Sequence, residues 1–394
     1  MVVINSSIIT TKRLKVAVLD ANYYWTEQLF SACHDFADVL LLRPVDFRAF
    51  HKRYGSYFID IKPQLVAKRV WEQRVCCPPG WLFHYWPLTR CFFASLIRRF
   101  QQNHPLIFVF NFPYYYTLAK ALQANSIYYN IDDYRNYWPG REKLTPKIEY
   151  QAVAQANLTL CVAGYRARHL KQACPEQASQ IVHIPHGCSP TFMVNHPLAK
   201  PNPLPAELKV YPRPIAGYIG TLGYRFDFHY LAQAVQKLPQ VTFILGGPIP
   251  QPQDGSTDWW QDVEEIRQLP NVYWIGKVPH HRLGQYLQSF DVLLMCYSDC
   301  NFNRNACPTK LWDYMGTSRP VVANNVVPEV NQWSQMLHIA THPSDFAQKI
   351  ELALAQPNWK ASERLSIAKH HTWRHQAQKL YGLLQERKWL TTCR

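Results

Sequence analysis

"IAGYIGTLGYRFDFHYLAQAVQKLPQVTFILGGP" occupies residues 215–248. It reads as a strand over 215–221, a glycine-bearing turn, an amphipathic helix over 227–238 and a strand over 241–248 ending in two glycines. A strand that returns beside its neighbour through a helix makes a parallel pair, and parallel sheets are covered by helices on both faces. The fold class that follows is α/β. The alternation continues downstream with strands at "NVYWIGKV" (271–278), "DVLLMCY" (291–297) and "PVVAN" (320–324). Helices at "DWWQDVEEIRQL", "HRLGQYLQSF" and "TKLWDYMG" lie between them.

The same pattern runs upstream. Strand-like runs occur at "LKVAVLDA" (14–21), "DVLLLRP" (38–44), "LIFVFNFP" (106–113), "SIYYNIDDY" (126–134), "LTLCVAG" (158–164) and "IVHIPHG" (181–187). The stretch "NHPLAKPNPLPAELKVYPRP" (195–214) holds six prolines and no sustained period, the composition of a linker. The expected organisation is a first domain at 1–194, a linker at 195–214, a second domain at 215–375 and a C-terminal helix at 376–394 that packs back on the first domain. Both domains read as Rossmann-like and doubly wound. In such sheets ligands bind outside the carboxyl ends of the strands, which places a cleft between the domains.

A chain of 394 residues with 47% hydrophobic and 18% charged residues is globular and long enough for two cores. No run approaches the ~20 apolar residues of a membrane helix. The start "MVVINSSIITTKRLKVAVLD" lacks a signal-peptide pattern, so the expected location is cytoplasmic. Eleven cysteines are scattered, and Cys296, Cys300 and Cys307 match no common metal spacing. The adjacent histidines His280–His281 and His370–His371 do not share a helix face. No metal is therefore expected.

The net charge of +15 attracts polyanions or phosphorylated substrates. The basic residues are dispersed, so a nucleic-acid partner is not expected. The stretch "WLFHYWPLTRCFFASLIRRF" (81–100) mixes aromatic residues with arginine. That mixture suits an anionic membrane surface, with peripheral attachment; the alternative is an ordinary core helix with a basic outer face.

Candidate chemistry gathers at the strand ends. Gly220 and Gly223 allow a ligand to approach the backbone closely, and Thr221, Leu222 and Arg225 share their turn. Gly247 and Tyr297 end strands at the same edge. A helix starting near Thr309 points free N–H groups outward there, with Lys310 in its first turn and Asp313 one turn on. Lys310 and Asp313 have two readings: an i,i+3 surface ion pair, or a grip on a diphosphate and a hydroxylated ring. Asp132 and Asp133 end a strand beside three tyrosines; each is a candidate general base or a helix cap. His186 lies just before the linker, a hinge or phosphate contact, or a packing residue.

These stretches resemble sugar-nucleotide-dependent glycosyltransferases of the GT-B fold, the family 4-like "group 1" enzymes of polysaccharide and glycolipid synthesis. "VHIPHGC", "GYIGTLGYRFDFHYL", "NVYWIGKVPHHRLGQYLQSFDVLLMCY" and "CPTKLWDYMGTSRPVVA" carry the likeness. "YYNIDDY" resembles a Tyr-x-x-x-Asp-Asp segment of some members. The resemblance implies a nucleoside-diphosphate sugar as donor, a lipid-linked or glycan acceptor and no cofactor. Lys310 would meet the diphosphate, Asp313 the ribose or sugar, and Gly220, Thr221 and Leu222 the phosphate side. Many retaining members carry two glutamates seven residues apart; Asn305 and Asp313 stand near those positions. "DANYYWTEQ" replaces the usual glycine-rich loop after the first strand. A carboxylate base in the first domain suits inversion. The alternatives are a retaining transferase, a nucleotide-sugar epimerase or phosphorylase of the same fold, and a non-enzymatic polyanion binder.

Overall fold

A computed structural model describes residues 13–55, 60, 62–138, 140–197 and 200–390. The chain divides into two compact units. The first comprises 1–162, 167–184 and 376–394, the second 163–166 and 185–375. The division falls after residue 184, inside the expected first domain, and the expected linker lies wholly in the second unit.

The first unit is built on an eight-stranded sheet. Its strands are β1 (Lys15–Leu19), β2 (Asp38–Asp46), β3 (Gln64–Ala67), β4 (Val70–Cys77), β5 (Leu106–Phe110), β6 (Asn125–Asn130), β7 (Leu158–Cys161) and β8 (Ile181–His183). Their order is β3-β4-β2-β1-β5-β6-β7-β8, and β3 alone runs antiparallel, at one edge. The central strands are buried along their whole length, as β1's Val16–Leu19 and β5's Leu106–Phe110 show. That burial is why they read as unbroken apolar runs.

Strand β4 was not expected. Its sequence "VWEQRVCC" carries Glu72, Gln73 and Arg74 in mid-strand, which hides the apolar signal. Those groups are satisfied: Glu72 pairs with Arg43 of β2 at 2.7 Å and Arg74 with Asp60 at 3.0 Å. The helix Trp373–Glu386 enters this unit at Gln376. Tyr381 packs on Phe36 at 5.0 Å between ring centroids, and Arg387 donates to the Ser179 carbonyl.

The second unit holds six parallel strands: β9 (Ile215–Ile219), β10 (Thr242–Gly246), β11 (Val272–Gly276), β12 (Val292–Met295), β13 (Val321–Asn324) and β14 (His338–Ala340). Their order is β11-β10-β9-β12-β13-β14, with the reversal beside β9. Alternate residues feed two cores. Ala216, Tyr218, Phe243, Leu245 and Leu294 enter one, against Leu231, Val235 and Ile350. Ile215, Ile219, Ile244, Leu293 and Met295 enter the other, against Phe290, Leu311 and Met315. Side chains of a strand point alternately to opposite faces, so a sheet covered on both sides needs two cores.

Candidate functional site

In the second unit, the loops after β9 and β10 meet backbone to backbone. Gly220 N–H donates to the Gly246 carbonyl and Gly247 N–H to the Gly276 carbonyl, both at 2.8 Å. Gly247 has φ +156°, and a Cβ there would lie 1.9 Å from the Gly220 carbonyl oxygen. Only glycine fits. Gly223 faces open space, with one atom at 3.9 Å from a built Cβ. Thr221 is exposed, and its carbonyl accepts from the Tyr218 hydroxyl. Leu222 differs: its side chain is buried in the core, so only its backbone is available to a ligand.

The helix Thr309–Gly316 follows Pro308, which makes no side-chain cap bond. Leu311 N–H donates to the Pro308 carbonyl, which leaves the N–H groups of Thr309 and Lys310 for another acceptor. Leu311, Trp312, Tyr314 and Met315 are buried and fix the helix to the sheet, and Trp312 stacks on His371 at 4.3 Å. Lys310 reaches back from this helix. Its Nζ lies 5.1 Å from the Tyr218 ring centroid, and a Cβ on Gly220 would meet it at 2.4 Å. Lys310 and Asp313 form no ion pair, which removes the surface-pair reading. Asp313 is instead buried, accepts from Ser189 N–H at 3.4 Å, and has its pKa pushed up to about 8 by burial.

The remaining expected residues are placed less directly. Arg225 lays its guanidinium over Phe302, 4.2 Å from the ring centroid, while its carbonyl accepts from Ser298 and Asn303. Tyr297 is locked at the end of β12 by two bonds with the Asn324 amide. Asn305, near the position of a family glutamate, is buried and donates to the Asn301 carbonyl. His186 is buried against Trp373, and burial lowers its pKa to about 3. A neutral ring at pH 7 cannot serve as a cationic phosphate contact.

Cys296 and Cys307 are buried thiols whose pKa burial pushes up. Among the described residues, the one grouping with metal-ligand spacing is His229, Asp262 and Glu265. It lies on the helices Phe228–Lys237 and Thr257–Arg267 and is knitted by His229–Asp262 and Gln236–Glu265 contacts.

In the first unit, carboxylates gather at the carboxyl ends of β1 and β6. Asp132 is buried and accepts from the Tyr137 hydroxyl and from Asp133 N–H. Asp133 is half-buried, and its side chain accepts from Arg135 N–H to cap the following turn. Sequence reasoning missed Asp20. It follows β1 with φ +65°, a left-handed conformation unusual outside glycine. Asn22 donates to it at 2.6 Å and Tyr115 at 3.1 Å, while its carbonyl accepts from Asn111. Burial raises its pKa to about 6. Asp20 and Asp132 both act electrostatically on the Tyr23 hydroxyl, so one phenol senses both carboxylates. The findable signal was an aspartate directly after an apolar strand, the pattern that singled out Asp132.

Aromatic rings surround these carboxylates. Phe112 contacts Tyr23, Tyr134 and Trp138, and Phe83 contacts Tyr114 and Trp138.

Residues 213–356 match the family model described as Glycosyl transferases group 1. This stretch is similar to the domain that the group 1 glycosyl transferases share. It contains both glycine loops and the Lys310 helix. TuaH of Bacillus subtilis (strain 168), assigned as a teichuronic acid biosynthesis glycosyltransferase, is 24% identical over 243 residues. The match covers 59% of this chain and 58% of TuaH, so the chain spans about three fifths of the length of that relative.

Solved structures match over nearly the whole length. Anabaena HepE, in complex with UDP and glucose, has a TM-score of 0.65 and 14% identity, covering 95% of this chain and 99% of its own. Sucrose-phosphate synthase from Thermosynechococcus elongatus has a TM-score of 0.67 and 15% identity, covering 96% and 99%. An E. coli trehalose-6-phosphate structure bound with UDP-2-fluoro glucose has a TM-score of 0.67 and 12% identity, covering 95% and 99%. These likenesses show the GT-B fold, and the stretch that matches the group 1 model lies within it.

Proposed function

We propose that the protein is a glycosyltransferase that uses a UDP-sugar and transfers its sugar to a lipid-linked or glycan hydroxyl. The observation that carries this reading is the Lys310 ammonium held against Gly220, with no ion pair among the described residues, at the strand ends of the stretch that matches the group 1 model. The donor diphosphate lies over the Gly220–Gly223 turn. Lys310 and the free N–H groups of its helix stabilise the charge that develops on the leaving UDP, which needs no metal and no cofactor. Asp313 accepts from a donor hydroxyl.

Transfer proceeds with inversion. The acceptor oxygen bonds to the anomeric carbon as the bond from that carbon to the diphosphate oxygen breaks. Asp132 takes the acceptor proton; its buried carboxylate is oriented by Tyr137, whereas Asp133 is spent on a cap. The half-buried rings about Asp132 suit the apolar faces of a saccharide acceptor. TuaH's assignment to teichuronic acid synthesis supports a polysaccharide product.

Peripheral attachment to an anionic bilayer fits the helix Trp86–Gln101. No helix among the described residues is long and apolar enough to cross a membrane. This one exposes Leu88 (74%) and Phe92 (50%), follows an exposed Tyr85 and carries Arg98 and Arg99 in its last turn. Rings and aliphatic groups on such a face enter the headgroup region while arginine meets lipid phosphate.

The test is product analysis with UDP-sugars and candidate glycan or lipid-linked acceptors. A glycoside of inverted anomeric configuration supports the reading. Retained configuration contradicts inversion, and a new monosaccharide formed without acceptor contradicts transfer.

A further inference from the structure

The first unit contains a cavity of about 490 Å³ that the donor and acceptor chemistry does not use. It opens at the amino ends of the strands. Lys15 is the first residue of β1 and Trp71 the second of β4. Asp20, beyond the far end of β1, is roughly 16 Å away at ~3.3 Å per strand residue. The cavity is therefore separate from the carboxyl-end site.

Its walls combine two kinds of chemistry. Trp71 and Phe100 meet edge to face at 5.9 Å, with Leu96 beside them. Lys15, Lys62 and Arg99 supply positive charge. Lys15 is partly neutralised, since it pairs with Asp38 at 2.8 Å, and Arg13 reaches the same carboxylate at 3.3 Å. Its Nζ also lies 4.9 Å from the Phe100 centroid. Lys62 and Arg99 are exposed and have no ion-pair partner among the described residues. The net charge around the opening, counting Arg13 and Asp38, is strongly positive.

We propose that this cavity binds a phosphorylated ring compound, a nucleoside phosphate or a sugar phosphate, as a second ligand of the protein. The phosphate sits between Lys62 and Arg99, where a fork of N–H donors and a mobile ammonium match its charge. The ring rests on Trp71 and Phe100. The volume is in the range of small-molecule sites, ~300–1,000 Å³, and far exceeds what a bare phosphate fills.

The experiment is calorimetric titration of the full chain with UMP, glucose 6-phosphate and inorganic phosphate. Three proteins are compared: wild type, Lys310→Ala and the double variant Lys62→Glu/Arg99→Glu. At least one ring compound is expected to bind Lys310→Ala as it binds wild type at this site, and to bind the double variant at least tenfold more weakly. UMP distinguishes the nucleotide source and glucose 6-phosphate the sugar source. The proposal is overturned if no ring compound binds Lys310→Ala, if charge reversal changes nothing, or if inorganic phosphate binds equally well. Lys310 plays no part here, so failure of the donor reading leaves this result independent.

Discussion

The ammonium of Lys310 and the α-carbon of Gly220 occupy adjoining space: a methyl built on Gly220 would fall 2.4 Å from Lys310 Nζ and Cε. The glycine is thus required by the lysine's position as much as by the turn. Gly220→Ala displaces the far end of a flexible side chain, so the fold survives. UDP affinity is expected to fall about tenfold, because one charge-assisted contact worth ~1.5–3 kcal/mol is weakened. Titration with UDP checks it; unchanged affinity contradicts the placement of Lys310.

Asp313 sets function against stability. Its carboxyl has an ordinary pKa of 3.8, raised to about 8 in the fold. The folded state holds the proton more tightly, so this group's contribution is full below pH 3.8 and is lost as pH rises to about 8. Asp313→Asn keeps an acceptor for Ser189 N–H and removes the buried charge. Its melting temperature is expected to exceed that of wild type by about 5 °C at pH 8.5, with little difference at pH 4. UDP-sugar binding weakens in the same protein. Equal stability of the two proteins at pH 8.5 counts against the burial argument.

Asp132 and Asp133 separate by role. Asp132→Asn is expected to keep UDP-induced thermal stabilisation and to lower kcat by ~10²–10⁴, the contribution of a positioned base. Asp133→Ala loses a cap and costs about 1 kcal/mol of stability while transfer continues. A fully active Asp132→Asn enzyme removes Asp132 from the chemistry.

Asp20 follows the same sign as Asp313 over a lower window. Its pKa is raised from 3.8 to about 6, so its stabilising contribution fades as pH rises between those values. Asp20→Asn is expected to gain stability relative to wild type between pH 4 and 7, read from thermal melts across that range. A flat difference with pH contradicts the assignment.

Arg43 holds the loop that carries Asp20. Within the first unit it bonds Glu72 at 2.7 Å, Glu27 at 2.9 Å and the Ala21 carbonyl. Arg43→Ala leaves Glu72 unpaired beside a buried strand and is expected to destabilise the unit by ~3 kcal/mol. Chemical denaturation measures it; a loss below 1 kcal/mol makes the network a surface feature.

The strands buried on both faces were legible because burial makes them continuous apolar runs, from "LKVAVLDA" to "DVLLMCY". Strand β4 was hidden because its polar residues are matched by partners far along the chain, which no local pattern reports. The Lys310–Asp313 spacing was visible, but a surface pair and a ligand grip share the same helical period. Only burial of Asp313 and the reach of Lys310 to Gly220 separate them. Leu222 and His186 stood in functional stretches yet point into packing, since a motif fixes backbone position and not side-chain exposure. Asp20 was missed although it follows an apolar strand as Asp132 does, because its partners Tyr115 and Asn111 lie far along the chain.

The central claim is that the Gly220–Lys310 edge of the second unit holds the diphosphate of a UDP-sugar. Thermal melts of wild type and Lys310→Ala with saturating UDP test it most directly. The account predicts stabilisation of wild type by about 2.7 kcal/mol at a hundredfold excess over Kd, and a clearly smaller effect in Lys310→Ala, where only the amino-end cavity of the first unit is left to bind UDP. Equal stabilisation of both proteins, or of neither, would contradict it.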